Sequence, residues 1–413
     1  MNAAGAKAAP AGDHKTASPL SLPPSQFAQL QPHTYLFAHL SPPDTGSRPS
    51  LRVNGRTKSQ FRPASVNTGS LTHSNGSAVV RIGDTAAVCG VRAEILSTDD
   101  IAAWNLSTTN APPPNKRRRT GDNAGRDKVE AAATVDGDEH EDDDSQIRDF
   151  NLLVPNLSMN TGCSPSIPPG AAPTPLAQSL SHQLLSLLHS SQLVRSDDLR
   201  IWYQPPNLSD EDTTMTTEGG EEGDSSGTTA EPEIKAFWTL YIDVLMISLA
   251  GNPFDAAWAA VVAALRDTRL PKAWWDMDRE MVLCSDRVED SKKLILRGMP
   301  MASSFCVFEA DAVSDWKRLM VEEDSEVKAK NPGAAEKQSR RTRKWVLADP
   351  DAFEESLCQE RACVVVDKNA QSEVKILKLE KSGGFYLDKE EMKDLVVLAE
   401  ERWEEWRAAL GTP

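Results

Sequence analysis

Two pairs of side chains have the chemistry for catalysis or for metal binding. Glu354 and Glu355 are adjacent carboxyl groups, and paired carboxylates can serve as general acid and general base. Their position favours instead a solvated or ion-paired start of a helix. His182 and His189 lie seven residues apart, which places them on one face of a leucine-rich helix. No carboxylate or third ligand accompanies them, so we predict no metal site there.

The six cysteines indicate neither a zinc site nor a disulfide framework. They form no CxxC pair and no Cys/His cluster with the spacing of zinc ligands. Most stand in apolar runs such as AAVCGV and ACVVV, where a free thiol packs as a small hydrophobic group. We predict no metal, no cofactor and a reducing compartment. The longest apolar run is interrupted by Asp243 and is too short to span a bilayer, so we expect a soluble protein without a membrane partner.

Acidic residues are concentrated in two low-complexity segments. The chain has 413 residues and a formal net charge of −16. Residues 97–150 hold 13 Asp and Glu against 7 Lys and Arg, and residues 206–233 hold 9 acidic residues and no basic ones. The remainder is nearly neutral, so the net charge does not exclude an RNA-binding surface on the folded part. We predict disordered insertions in both segments, a disordered tail at 1–25 and a charged loop at about 322–344.

Strand and helix patterns alternate along the rest of the chain. Residues 77–95 have the pattern of two strands joined at Gly83-Asp84, which suits a tight hairpin because glycine accepts a positive φ. Residues 174–194 predict a helix that begins at Thr174 and Pro175. Its apolar stripe would hold Leu176, Leu180, Leu184, Leu187 and Leu188.

The second half of the chain starts with a strand–loop–helix unit, FWTLYIDVLMISL, AGNPFD and AAWAAVVAALRDT. Strand-like runs follow at 301–309, 344–348, 362–366 and 373–379, and a helix is predicted at 389–410. Hairpins among these strands argue against an all-parallel sheet. The pattern predicts a mixed-sheet α/β or α+β domain of roughly 260 ordered residues.

Three sequence blocks in this order resemble the RNase PH family, and within it the non-catalytic ring subunits of the RNA exosome. They are RVNGRTKSQFR with the Gly-Ser turn and paired strands that follow, LYIDVLMISLAGNPFDAAW, and LADPDAFEE, which is similar to a DPTxxEE block of the family. Each block is weak by itself, but three in the right order are specific. The matching positions of the first block are Arg52, Gly55, Arg56, Phe61, Arg62, Gly69, Ser70, Gly76, Ser77, Gly83 and Thr85.

The resemblance implies an RNase PH-like fold, similar to ribosomal protein S5 domain 2, with two pseudo-repeated β-rich and helical units. The domain would span residues 26–410, with a first half at 48–205 and a second half at 234–410.

The same resemblance implies that the phosphorolytic site is degenerate. Active members hold inorganic phosphate with a Gly-Thr-Arg-Thr-like loop at a helix N-terminus. The matching stretch is residues 251–255, where Phe254 replaces the arginine and Asp255 replaces the hydroxyl residue. Asp255 would repel phosphate, and we predict that it caps the following helix instead. The family's late carboxylate aligns near Arg361, which can neither donate a proton at neutral pH nor bind a cation.

The resemblance therefore implies an inactive homologue that completes a six-membered ring with other RNase PH-like exosome subunits. Separate S1/KH proteins would cap the ring, and RNA would pass through its channel for 3′–5′ processing and degradation, including ribosomal RNA maturation. Two alternatives remain: an active phosphorolytic 3′–5′ exoribonuclease with a divergent site, and a standalone RNA-binding protein. The expected locations are the nucleus, the nucleolus and the cytoplasm.

Basic residues outside the degenerate site give two further candidates. Arg52, Arg56 and Arg62 are candidates for contact with RNA or with a neighbouring subunit. The run Lys116, Arg117, Arg118 and Arg119 lies in the acidic segment and fits a nuclear import signal, a weak RNA contact or a solvated charge run.

Overall fold

A computed structural model describes residues 23–41, 49–102, 104, 145–159, 162–168, 172–205, 232–309, 344–358, 360–369, 373–383 and 389–411. Most of the predicted tail and of the three predicted insertions lies outside these residues, as does the basic run at 116–119.

The helices and strands of the described part run as follows. The helices are α1 (Pro24–Leu30), α2 (Pro32–Leu40), α3 (Pro175–Ser191), α4 (Ser196–Leu199), α5 (Pro253–Asp267), α6 (Ala352–Leu357) and α7 (Lys389–Leu410). The strands are β1 (Ala64–Thr68), β2 (Gly76–Ile82), β3 (Thr85–Ser97), β4 (Leu153–Met159), β5 (Arg200–Tyr203), β6 (Glu233–Ser248), β7 (Arg269–Leu270), β8 (Ala273–Asp276), β9 (Met281–Cys284), β10 (Lys292–Lys293), β11 (Met301–Glu309), β12 (Lys344–Ala348), β13 (Glu360–Lys368) and β14 (Val374–Ser382).

The larger sheet has six strands in the order β1-β2-β3-β6-β4, and β5 also pairs with β6. Only β4 runs parallel to its neighbour; the other pairs are antiparallel. The predicted hairpin is confirmed, because Ile82 pairs with Thr85 and Gly83 has a φ of 56°. This sheet is therefore mixed, as the sequence pattern predicted.

The second sheet has four strands in the order β12-β11-β13-β14, and two short pairs, β7 with β10 and β8 with β9, lie outside both sheets. The bounds of β11 and β12 are those predicted from the sequence. The strands β13 and β14 each extend beyond their predicted runs.

Helix α5 is the centre of the hydrophobic core. Every residue from 253 to 265 is buried, which an alanine-rich helix without a polar face favours. One side packs on β2 and β3. The packing is close: a Cβ on Gly76 of β2 would stand 2.6 Å from the carbonyl oxygen of Ala264. On another side, Trp258 Nε1 donates a hydrogen bond to the Pro300 carbonyl at 2.8 Å.

The chain groups into two compact units, which differ from the predicted halves. The smaller unit comprises residues 1–58 and 308–345, and the larger comprises residues 59–307 and 346–413. The larger unit combines strands of both predicted halves. Strands β2 and β3 come from the first half and β6 comes from the second, and all three pack against α5. Within the smaller unit, His33 Nε2 lies 2.9 Å from the Glu309 carbonyl oxygen, and the rings of Phe37 and Trp345 pack edge to face.

Three predicted boundaries need correction. The tail predicted to end at residue 25 overlaps α1, which begins at Pro24. The insertion predicted at 97–150 is too long at both ends, because Ile101 and Ile147 are buried in the core. The segment predicted at 206–233 likewise ends in strand β6, which begins at Glu233. Composition misplaced the ends of the insertion at 97–150 because Ile101 and Ile147 are apolar residues next to polar stretches.

The predicted helix at 174–194 is confirmed with one exception. Thr174 caps α3, and its side chain accepts a hydrogen bond from Ala177 N at 3.2 Å. Leu176 of the predicted apolar stripe is 41% exposed. It lines the mouth of the cleft described below, so the stripe is narrower at the start of the helix than the spacing predicted.

Candidate functional site: the N-terminal end of α5

The turn that precedes α5 is shaped by two residues with positive φ. Gly251 has a φ of 91° and Asn252 a φ of 49°. A Cβ on Gly251 would lie 2.5 Å from the backbone of Asp351 and Ala352, so glycine is required there for space as well as for conformation. Asn252 is the N-cap, with Pro253 in the first turn. The prediction that Asp255 caps this helix is therefore wrong.

Asp255 lies inside the first turn, and its carboxylate faces strand β11. It accepts hydrogen bonds from Ser304 Oγ at 2.7 Å, Ser304 N at 2.9 Å and Asn252 Nδ2 at 2.7 Å. Burial raises the pKa of Asp255, while the hydrogen bonds from Ser304 and Asn252 oppose that rise. The carboxylate connects the helix start to the second sheet.

Arg62 forms the other half of this polar cluster. Its Nε and Nη2 bind the two carboxylate oxygens of Asp349 at 2.9 and 2.8 Å. Its Nη1 and Nη2 also donate to the carbonyls of Ala250 and Gly251 at 3.0 and 3.3 Å. Burial raises the pKa of Asp349, but the hydrogen bonds and charge of Arg62 outweigh burial and lower it to about 2. The guanidinium holds the turn before α5 in place.

A cleft of about 230 Å³ lies in front of this cluster. Phe254, Glu355 and Arg361 contribute to its lining. Arg361 is an exposed residue of β13, and the Lys378 ammonium lies 5.9 Å from the ring centre of Phe254. The structure therefore brings Phe254 and Arg361 together in one cleft and places Asp255 behind it, with its carboxylate directed to Ser304.

The Glu355 carboxylate binds a backbone N–H group at the start of α5. Its Oε1 accepts a hydrogen bond from Asn252 N at 2.9 Å. Burial raises the pKa of Glu355, and the charge of Arg361 opposes this rise. A free backbone N–H at a helix start is the group with which proteins bind phosphate. Here that donor is taken by a carboxylate of the chain itself.

The two glutamates have different roles, and neither is simply solvated. Glu354 is fully buried and forms a capping box with Asp351, in which each side chain accepts from the other residue's backbone N–H at 2.9 and 3.0 Å. Glu355 is half-buried and points to Asn252. The predicted helix start is present, but of the two alternatives, solvated or ion-paired, the solvated one is wrong for Glu354.

The arginine candidates for contact with RNA or a subunit are less exposed than predicted. Arg62 is 8% exposed and Arg52 is 1% exposed, so neither lies at the surface of the chain. Arg52 N donates to the Arg56 carbonyl at 2.8 Å within a turn of the smaller unit. Arg56 is half-buried, and its contact role stays a prediction. The basic run 116–119 lies outside the described residues.

The two histidines of α3 belong to no described cluster of metal-binding side chains. Among the described residues, no group of three or more His, Cys, Asp or Glu is placed to hold a metal ion. His182 is exposed, and His189 is half-buried with its pKa lowered by burial and by Arg148.

Sequence reasoning did not find Ser304, and it did not give three residues that it had named their roles in the cluster, namely Asn252, Glu355 and Thr85, whose Oγ1 donates to the Gly251 carbonyl at 2.7 Å. The dipeptide Asn252-Pro253 was a usable signal, because Asn at the N-cap and Pro at the first helical position favour the same helix start. Ser304 carried no signal, since a serine in an apolar strand does not reveal its partner.

Comparison with known proteins identifies the family. The sequence pattern of the 3′ exoribonuclease family, domain 1 (RNase PH), matches residues 60–131 and 123–271, which together span just over half of the chain. The chain therefore belongs to the RNase PH family. Within the described residues, no helix is long and apolar enough to cross a membrane.

Named relatives and a solved structure agree with this assignment. The chain is 28% identical over 72% of its length to exosome complex component rrp43 of Schizosaccharomyces pombe, covering 78% of that protein. It is 25% identical over 62% of its length to putative exosome complex exonuclease RRP42 of Dictyostelium discoideum, covering 71% of that protein. A chain of the Archaeoglobus fulgidus exosome with RNA bound to the active site has the same fold, with a TM-score of 0.51 and 18% identity, over 92% of this chain and 97% of that one.

The order of the three sequence blocks described above resembles that of ribosomal RNA-processing protein 43 of the exosome, and the Schizosaccharomyces pombe relative confirms that resemblance. The predicted fold, an α+β fold of RNase PH type with mixed sheets, is confirmed by the family match and by the archaeal structure.

Proposed function

We propose that this chain is a catalytically inactive subunit of an exosome ring, which helps to form the channel that threads RNA for 3′–5′ processing and degradation. Membership of the RNase PH family and the two relatives named as exosome proteins support the ring role. Its partners would be other RNase PH-like subunits, S1/KH cap proteins and RNA in the channel.

The observation that supports inactivity is the hydrogen bond that the Glu355 carboxylate accepts from the backbone N–H of Asn252. Asp255 adds a second carboxylate in the same turn of α5, and Phe254 supplies no hydrogen bond. At an effective dielectric of about 20, a unit charge about 4 Å from another like charge costs roughly 4 kcal/mol. Inorganic phosphate would meet repulsion at the position where active family members attract it.

A phosphorolysis assay tests this proposal. The purified full chain is incubated with single-stranded RNA and inorganic phosphate, and released nucleoside diphosphates are measured beside an active phosphorolytic member of the family. We expect no release by the wild type. The double variant Phe254→Arg/Asp255→Thr should also be inactive, because Glu355 still fills the donor of Asn252 and Arg361 still replaces the late carboxylate. Phosphate-dependent shortening of RNA by the unmodified chain would show that it is an enzyme.

Assembly is tested by co-expression with RNase PH-like neighbours. Ring subunits need extended faces that are covered by their neighbours, so we expect the chain alone to be poorly soluble and the co-expressed pair to enter a six-membered ring. The readout is the mass of the complex in solution. A stable monomer that does not co-elute with any exosome subunit would favour a standalone RNA-binding protein.

Localisation is tested by a separate experiment. We propose nuclear, nucleolar and cytoplasmic pools, with Lys116, Arg117, Arg118 and Arg119 as the import signal. Replacing the four by glutamine should reduce nuclear accumulation of the full chain without changing ring assembly. Unchanged distribution would assign no import role to this run.

A further inference from the structure

A second concavity lies at the other end of α5, remote from the degenerate cleft. It has a volume of about 500 Å³ and is formed by the C-terminal part of α5, residues 293–299, the end of β13 and the last turns of α7. Leu294 and Trp403 are buried there, and Leu296 and Met299 are half-buried. Its floor is therefore apolar.

The rim of this pocket is cationic. Lys293, Arg297 and Arg407 are exposed, and Arg266 is half-buried. Arg266 Nη2 donates to the Gly411 carbonyl at 3.0 Å, which is a neutral partner. Arg407 lies 4.0 Å from Glu404, at the limit of an ion pair.

Cations outnumber carboxylates among the described lining residues. Among the described residues that line the pocket, Asp367 is the one carboxylate, and it accepts hydrogen bonds from Met299 N at 3.1 Å and Lys368 N at 2.9 Å. The fifth cation, Lys368, is paired with Glu400 at 3.0 Å and Glu404 at 2.5 Å. The described lining thus holds five cationic side chains and one carboxylate, although the chain as a whole carries a charge of −16.

An exposed aliphatic side chain completes the pocket. Ile295 is 51% exposed and stands between the rim cations Lys293 and Arg297 in sequence. A ligand that covers it must offer apolar surface and negative charge together. We propose that this pocket binds an acidic peptide segment of a partner protein, with one apolar side chain of that segment on Ile295 and the floor, and its carboxylates on Lys293 and Arg297.

RNA fits these features less well. Single-stranded RNA is held by bases that stack on exposed aromatic rings beside cations. Trp403 is 6% exposed, and its Nε1 already donates to the Met299 carbonyl at 2.8 Å. The pocket thus offers cations and aliphatic surface, but its ring is not open to a base.

The test measures binding of labelled probes to the full chain by fluorescence anisotropy. The probes are a short polyglutamate peptide with a central Phe-Leu pair, the same peptide with glutamine in place of glutamate, and an oligouridylate of equal length. We expect the glutamate peptide to bind, and to bind more weakly as salt is raised. Lys293→Glu/Arg297→Glu should weaken it by at least about tenfold, since the reversal changes four units of charge. Ile295→Ser should weaken it several-fold without changing its salt dependence.

A matched control changes the same number of charges elsewhere. Arg81→Glu/Arg279→Glu alters two exposed arginines, with side chains 63% and 67% accessible, that do not line the pocket. It should leave the affinity within about twofold of the wild type.

Four outcomes would overturn the proposal. They are equal binding of the glutamine peptide, equal loss in the control variant, preferential binding of the oligouridylate at the same residues, and a marked gain in affinity when residues 206–231 are deleted. The last would mean that an acidic segment of this chain, and not a partner, occupies the pocket. Ring assembly of the same variants is measured separately, as the mass of the complex in solution. The peptide proposal and the ring proposal can therefore fail independently of each other.

Discussion

At the N-terminal end of α5 the charged groups are buried and matched, whereas at its C-terminal end they are exposed and mostly of one sign. Arg62, Asp349 and Asp255 are all less than a tenth exposed; Arg62 donates to Asp349, and Asp255 accepts from Ser304 and Asn252. Lys293 and Arg297 are exposed at the rim of a pocket. The helix dipole favours both arrangements, because anions are stabilised at a helix start and cations at its end.

The difference indicates what each end can still bind. At the N-terminal end the carboxylates of Asp255 and Glu355 already accept hydrogen bonds from Asn252, which is the basis for the proposal that a further anion is repelled there. At the C-terminal end, cationic side chains outnumber carboxylates in the described lining of the pocket. If both proposals hold, the same helix repels anions at its start and attracts them at the opposite end.

The largest effect should come from removing Arg62. Arg62→Ala leaves the buried carboxylate of Asp349 without its partner, and breaking a buried ion pair costs about 3–5 kcal/mol. Urea unfolding of the full chain measures the loss. Arg81→Ala, on the neighbouring exposed surface, should change stability by less than about 0.5 kcal/mol. Equal values for the two variants would show that the cluster does not stabilise the fold.

Acid should weaken the same cluster. Asp349 has its pKa lowered from 3.8 to about 2, so its contribution is present above the ordinary pKa and is lost as the pH falls through about 2. The shift corresponds to about 2 kcal/mol. Stability measured by urea between about pH 5 and pH 2 should show this loss. Asp349→Asn should be less stable throughout and flatter over that window; a slope equal to that of the wild type would contradict the ion pair with Arg62.

Asp255 should behave in the opposite way. Burial raises its pKa, so its contribution is present below the ordinary pKa and is lost as the pH rises through the raised one. Asp255→Asn keeps the shape and can still pair with Ser304 and Asn252, so near neutral pH it should be about 1 kcal/mol more stable than the wild type. Asp255→Ala, which leaves buried donors unpaired, should be about 2 kcal/mol less stable. A less stable Asn variant would mean that the charge itself is needed.

The smallest effect should be at the pocket rim. Lys293→Glu/Arg297→Glu changes exposed side chains, so the free energy of unfolding should shift by no more than about 0.5 kcal/mol. Thermal melting of this variant beside the wild type checks it. A large loss of stability would mean that these charges, like Arg62, stabilise the fold, and the contrast between the two ends of α5 would not hold.

Local features of the fold were predictable from the sequence. The bounds of β11 and β12, the Thr174 cap and the Gly83 hairpin follow from apolar runs, a capping residue and a turn residue, all within a few positions. The strand β4 was not predicted, because Pro155, Asn156 and Ser158 interrupt its apolar pattern beside an acidic segment.

The site was predictable in part. The resemblance indicated that residues 254, 255 and 361 stand at the positions of the family's phosphorolytic site. The structure brings two of them, Phe254 and Arg361, into one cleft. The role of Arg62 was not predictable, because its partner Asp349 is 287 residues away in the sequence. A basic side chain looks the same in a sequence whether it faces RNA or a buried carboxylate.

The burial of α5 on every side has a consequence for biosynthesis. The helix leaves the ribosome after strands β1 to β6, but before β11 to β14 and α7. Until those later elements emerge, the side of α5 that carries Trp258 has no partner to cover it. A nascent chain of this length exposes apolar surface that favours aggregation. We therefore expect synthesis of this subunit to need chaperone protection during the interval, and chains that end prematurely after Asp267 to be cleared by proteolysis.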